Sequence, residues 1–294
     1  MSKSAYIDRI LAQQDADGCW NVLATGDKYY PDLNYYVPNF KSTLWTLVTL
    51  ADIQAPVRGK YYHTPLQIIS DHFYDSRAGI YTIGKSHFPI PCLNGNLLYL
   101  HGYFRRPNRT VLAGVVDFFN QYQRFDDGDF KTPSTWPYGS NRSCYGKHTC
   151  YWGVVKLLKG LSFIPVHRRS NGAKELVGKC IDFILLHNVC YSSHNSTEYI
   201  AKSIPLLTFP NMYRSDVLEI LWLLKREGIS SPNMARALDL LRSRRNQDKR
   251  WHLERPNRDL LVPLHRSSLG DDLVTERARE VSDYYKDRLA KNQR

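Results

Sequence analysis

The sequence predicts an all-α protein built from repeated helical hairpins, and three observations predict it. Apolar residues recur at i, i+3, i+4 and i+7 in one segment after another. No run alternates apolar and polar residues as a half-buried strand would. One turn motif also returns along the chain. It reads Gln14-Asp15-Ala16-Asp17-Gly18-Cys19-Trp20, then Gln123-Arg124-Phe125-Asp126-Asp127-Gly128-Asp129-Phe130, then Arg245-Asn246-Gln247-Asp248-Lys249-Arg250-Trp251. A fainter copy is Asp75-Ser76-Arg77-Ala78-Gly79-Ile80-Tyr81. From positions 18, 79, 128 and 249 the gaps are 61, 49 and 121, the last about two of the shorter ones. Such self-similarity marks a repeat architecture.

The elements follow in chain order. Residues 41–54 place Leu44, Leu47, Val48 and Ala51 on one face. Residues 107–123 open on Pro107, which suits a first helical turn, and carry Val111, Val115, Phe118 and Phe119. Residues 148–163 hold Tyr151, Val154, Val155, Leu158 and Leu161. Residues 173–187 hold Leu176, Cys180, Phe183 and Ile184. Residues 215–227 start with Ser215 or Asp216 as cap. Residues 232–244 start at Pro232, and 271–289 carry Leu273, Ala278, Val281 and Tyr285. Prolines at 56, 89–91, 133–137, 165, 205–210 and 256–263 separate these runs. About a dozen helices result, in hairpins that bury their faces by stacking on neighbours.

The motif has a physical use. Glycine just past a helix end adopts the left-handed conformation, the leading amide satisfies groups left open there, and the aromatic fixes the next element. On this reading Gly18→Val is more damaging than Gly139→Val, because Gly139 lies in a polar loop.

No Gly/Ser-rich or Pro-rich linker interrupts the 294 residues, which predicts a single domain, 1–294. With 43% hydrophobic residues, twenty Tyr and six Trp, rings line either a core or a cavity. Met1 to Tyr6 show no secretory apolar region, and no stretch of 18 apolar residues predicts a membrane span. The expectation is a cytoplasmic protein whose six cysteines are free thiols or metal ligands. The net charge of +12 favours anionic partners. Basic pairs such as Arg105-Arg106 lack any zinc-finger, RNP or helix-turn-helix signature, so no specific nucleic acid is expected.

Gln14-x-x-x-Gly18-x-Trp20 resembles the QW motif of squalene and terpene cyclases, whose α/α toroid is shared by the β subunits of protein prenyltransferases. The stretches Pro38 to Leu47 and Cys92 to Leu98 resemble helix starts of bacterial prenyltransferase/squalene-cyclase-like proteins. The resemblance covers roughly residues 1–290. It implies a closed toroid in which helices starting near Ser42, Cys92, His148 and Asp216 ring a central cavity. An open solenoid is the structural alternative.

The densest polar stretch, Tyr138 to Trp152, brings Cys144, Cys150, His148, Arg142 and Lys147 to one helix start. Unpaired amides and the helix dipole make such a terminus an anion site and lower a thiol's pKa. The same stretch is similar to the zinc region of prenyltransferase β subunits. That likeness implies Arg142 and Lys147 as diphosphate-binding bases and a catalytic zinc on His148, Cys150 and Asp216. The plainer reading makes His148 a helix-start residue and the cysteines small buried hydrophobes. Cys150, Tyr151 and Glu219 are the catalytic candidates, with Trp152 and Cys92 joining Arg142 and Lys147 around the substrate. The acidic turn Asp126-Asp127-Gly128-Asp129 differs from the Asp-x-Asp-Asp of class II cyclases, and His187, Cys190 and His194 read as helix-end residues. The resemblance implies an enzyme for an isoprenoid or other hydrophobic substrate, phosphorylated or not, with a helical partner subunit left open. The alternative is a non-catalytic toroid that binds a lipid or peptide.

Overall fold

The computed structural model describes residues 1–31, 33–36, 40–57, 59–128, 131–139, 142–286 and 288. Pro38 and Asn39, Asp129 and Phe130, Ser140 and Asn141, and most of 287–289, all used above, lie outside the described residues. Among those described, eleven α-helices form: α1 Lys3–Leu11, α2 Thr43–Asp52, α3 Lys60–Phe73, α4 Pro91–Tyr103, α5 Arg109–Tyr122, α6 Arg142–Tyr145, α7 Tyr151–Ser162, α8 Asn171–Leu186, α9 Val217–Arg226, α10 Ala235–Ser243 and α11 Leu269–Tyr285. The only described strands are β1 Tyr74–Asp75 and β2 Ile80–Tyr81, an antiparallel pair around Gly79. The all-α expectation holds.

The helices divide into two kinds. Every residue of α2 is buried, and so are all of α7 except Trp152, α4 as far as His101, and α9 as far as Leu224. By contrast α1, α3, α5, α8 and α10 bury one face each. The most buried helices neighbour one another in chain order, α2 on α4, α4 on α7 and α7 on α9, and α9 in turn meets α11, which buries one face. Arg277 of α11 reaches the Asp52 carbonyl at the end of α2, 3.3 Å away. The tightest contact is α4 on α7, where Gly95 and Gly160 let the two backbones meet. A Cβ at Gly160 would lie 2.5 Å from the Gly95 carbonyl.

The repeated turn is conserved in conformation where it varies in sequence. Gly18, Gly79, Gly128 and Lys249 all have left-handed φ, at 81°, 69°, 100° and 60°. In the first copy Trp20 Nε1 donates to the Ile10 carbonyl, and its backbone exchanges hydrogen bonds with the Thr43 hydroxyl. The last copy repeats this with Trp251, Leu241 and Thr275. In the faint copy Asn94 clasps the backbone of Tyr81. In these three copies the aromatic is thereby tied to a helix further along the chain, α2, α11 or α4.

Helix α3 matches none of the periodic segments above, and Pro65 lies inside it. Proline cannot donate to the carbonyl four residues back. That carbonyl, of Tyr61, instead accepts from Gln14 Nε2 at 2.8 Å, while the same amide serves Gly18 O at 2.9 Å. The leading glutamine of the motif therefore repairs a neighbouring helix.

The Gly139 expectation is corrected. A Cβ there would sit 2.0 Å from the Ser134 carbonyl oxygen, so a side chain is excluded by contact. Gly26, where a Cβ meets nothing within 4 Å, is the proper comparison. Gly18→Ala is expected to cost about 1–2 kcal/mol from its left-handed backbone, and Gly26→Ala less than about 0.5 kcal/mol. Lys249→Gly should raise stability. Equal urea midpoints for the two alanine variants would remove the shared turn as a stabilising element.

Candidate functional site

The facing sides of the buried helices carry polar residues, and they form a column from one end of the bundle to the other. On α4 they are Cys92, Asn96 and Tyr99, and on α7 Lys156 and Lys159 follow the N-cap Cys150. On α9 Glu219 follows the N-cap Asp216, and α2 ends on Asp52. These spacings of three and four keep each set on one helical face.

At mid-column, two cations meet two anions out of contact with solvent. Lys156 Nζ donates to Glu219 Oε2 at 2.7 Å and to the Asn211 carbonyl at 3.1 Å. Lys159 Nζ bridges Glu219 Oε1 and Asp52 Oδ1, both at 2.8 Å, and lies 4.2 Å from the Tyr99 ring centre. Tyr99 donates to Asp52 Oδ1 at 2.9 Å, and the Asn211 amide to Oδ2 at 3.2 Å. Burial pushes both carboxyls up, but Lys159 and Arg277 at Asp52, and Lys156 and Lys159 at Glu219, outweigh it and hold each below its ordinary value. Burial likewise brings Lys156 down. The space between these helices is therefore occupied by an ionic tetrad. The carbonyl oxygens of the Asn96 and Asn211 side chains make no hydrogen bond within the protein, so the polar column is not self-satisfied.

At the N-terminal end, three thiols converge. Cys150 caps α7, Cys92 occupies the first turn of α4, and Cys144 comes from α6. Hydrogen bonds from Cys144 and from Cys92, joined by the Trp152 and Gly153 amides, hold Cys150 down to about 3 against its burial. The same contacts push Cys144 and Cys92 well up. Tyr36 lies close enough to feel Cys92, Cys144 and Tyr213. Its ring is 5.2 Å from Trp45, and Phe40 bridges Trp45 and Tyr213 at 5.6 and 5.9 Å. An aromatic group thus flanks the thiols.

The proposed zinc ligands are not brought together. Asp216 is buried as the α9 cap, and its oxygens accept the Glu219 and Thr208 amides at 2.8 and 2.5 Å. Burial pushes its pKa up to about 7. His148 is exposed and joins Asp127 and His194, whose ligand atoms all lie within 4.8 Å of one another. Among the described residues that is the one group of three such side chains. The thiols fail the same measure, so His148, Cys150 and Asp216 do not fit the ion, nor does Cys92 restore a ligand set. Arg142 and Lys147 are exposed. Tyr151 donates its hydroxyl to the Val189 carbonyl and packs on Phe183 and His187, which removes it from the thiol chemistry. Trp152 is half-buried beside it. Glu219 faces the column but is sealed by two lysines.

Sequence reasoning missed Asp52, Asn96, Lys156, Lys159 and Arg277. Their local signal misleads. At about 3.6 residues per turn, Lys156 and Lys159 fall away from the face of Tyr151, Val154, Val155, Leu158 and Leu161, on the side periodicity assigns to solvent, yet both are buried.

At the C-terminal end a cleft of about 380 Å³ opens between Tyr99, Tyr103, Phe163, Trp222, Arg226 and Arg277. Arg226 lies 3.9 Å from the Phe163 ring centre, and Arg277 lies 4.6 Å from that of Trp222. Arg277 Nη1 is buried and makes no hydrogen bond. Among the described residues no helix is long and apolar enough to cross a membrane. No family model matches the chain, and no curated protein or solved structure does either.

Proposed function

We propose that the chain is an α/α toroid enzyme of the prenyltransferase and terpene-cyclase type whose reacting centre is the thiol end of the column. The convergence of Cys92, Cys144 and Cys150 at the start of α7 carries this reading. A helix N-terminus stabilises a thiolate, and the thiolate is the nucleophilic form. Tyr36, Phe40, Trp45 and Tyr213 supply an apolar surface for a hydrophobic substrate. Cys150 attacks an electrophilic carbon there. The C–S bond forms as the carbon's bond to its leaving group breaks, and the leaving group departs with that electron pair. Arg277 on α11 and Asp52 on α2 support ring closure, because they join α11 to the first buried helix.

A second reading, a non-catalytic module for an amphipathic anion, is favoured by the opposite cleft. There a guanidinium nitrogen without a hydrogen bond faces aromatic walls.

Labelling separates the two. Native protein treated with iodoacetamide at neutral pH should carry the label first at Cys150, and farnesyl diphosphate should slow the reaction. Cys150→Ser should fold and lose the fast label. Equal labelling of Cys144, or farnesyl diphosphate binding that Arg277→Gln abolishes while Cys150 labelling is unaffected, would transfer the function to the cleft.

A further inference from the structure

We infer that Asp127, His148 and His194, with His187 as fourth ligand, form a site for a divalent cation of the zinc class. The site is separate from the thiol end and does not depend on Cys150 being a nucleophile.

Three loops build it. Asp127 lies in the second copy of the turn motif and pairs as an isolated bridge with His148, on the approach to α7. His187 caps the C-terminus of α8, and His194 follows in the loop beyond it. Asp127, His148 and His194 already lie at ligand spacing, with His194 Nε2 3.3 Å from Asp127 Oδ2. Two atoms bound to one zinc at about 2.0–2.2 Å must lie at about this separation.

His187 is the independent observation. It is 5% exposed, and its Nε2 makes no hydrogen bond yet lies 3.8 Å from the same carboxylate oxygen. It is outside ligand spacing of His148 and His194, two exposed rings that must turn toward it when the ion binds. Its Nδ1 faces the Tyr191 carbonyl at 3.1 Å, an acceptor only, so Nδ1 carries the proton. In the neutral ring Nε2 then presents a bare lone pair to a carboxylate. Two acceptors face each other inside the protein, and a cation between them relieves the repulsion. A backbone carbonyl fixing the far nitrogen is also the usual support of a metal-bound imidazole. Ser193 donates its hydroxyl to Asp127 and orients the carboxylate. Gly128 completes the fit, since a Cβ there would lie 2.8 Å from two atoms of the His148 ring.

Imidazole and carboxylate donors suit zinc and its late first-row neighbours. Four protein ligands and no open position describe a structural site. Its effect is to pin the end of α8 to the chain entering α7, two residues before Cys150.

The test uses the full chain after EDTA treatment, titrated with Zn²⁺ by calorimetry and followed by thermal melting. One ion should bind per chain and raise the melting temperature. Asp127→Asn, His194→Ala and His187→Gln should each weaken binding about 10–100-fold, while Cys150→Ser should bind as wild type. His194 is 64% exposed in its side chain, so that variant folds and keeps the test clean. Zn²⁺ binding unchanged in Asp127→Asn and His194→Ala, binding lost in Cys150→Ser, or no binding to wild type would each overturn the proposal. Loss in those two with none in His187→Gln would overturn the four-ligand form.

Discussion

Glu219→Gln is expected to lower stability by about 3–5 kcal/mol, the cost of leaving a buried charge without its partner. Glu219 is the only described carboxylate bonded to both Lys156 and Lys159, and all three side chains are fully buried. The amide carries no charge and a single acceptor oxygen, so Lys156 loses its carboxylate partner and Lys159 keeps Asp52 as its one anion. At about 2–4 °C per kcal/mol for a chain somewhat smaller than this one, the melting temperature should fall by roughly 10 °C. Glu219→Leu combined with Lys156→Met removes a cation with an anion and should cost less than Glu219→Gln alone. The tetrad also sets the acid limit. Asp52 and Glu219 have folded values below their unfolded ones, so their contribution is fully present above about pH 4 and is lost as pH falls through the lower folded values. Glu219→Gln should therefore flatten the acid limb of a melting profile. A variant that melts like wild type would mean that solvent reaches the tetrad.

The tetrad also marks where the sequence stops being legible. Apolar spacing locates α2, α5, α7, α8, α9, α10 and α11 within a few residues, because those faces bury against neighbours and burial selects their composition. The repeated turn is legible for a similar reason: a left-handed residue is needed at one place, and three of its four occupants are glycines. Pairing across space is another matter. Lys156 and Lys159 meet Asp52 and Glu219 from helices far apart in the chain, and no local pattern records that. The ligand set His148, Cys150 and Asp216 failed because spacing does not give direction at a bend. Cys150 turns inward to cap α7, whereas His148 stays outside against Gly128. Asp216, chosen for its place at a helix start, is consumed by that cap. Asp127 lies in the turn that its local sequence indicates, whereas His194 stands in the loop eight residues beyond the end of α8 and not at the helix end. Only the folded loops bring them to His148.

Gly95→Ala is expected to be the most damaging single methyl group in the chain. The added Cβ would sit 2.1 Å from the Lys156 carbonyl oxygen, 2.3 Å from its carbon and 2.7 Å from the Leu157 nitrogen. All three are backbone atoms of α7, so no side-chain rotation relieves the overlap, and the helices must separate. Overpacking of a close core commonly costs about 1–3 kcal/mol, occasionally more. Here the separation also pulls Lys156 and Lys159 away from their carboxylates, so the loss should exceed that range. Gly178→Ala, on α8 where a Cβ meets nothing within 4 Å, supplies the control. It should stabilise by about 0.5–1 kcal/mol, because alanine is the better helix former. Urea unfolding of the two variants beside wild type reads both effects. Opposite shifts, with Gly95→Ala the larger, place α4 and α7 in backbone contact and make that contact the support on which the charged column rests; a Gly95→Ala midpoint equal to that of wild type would put the two helices further apart and leave the tetrad without the geometry described for it.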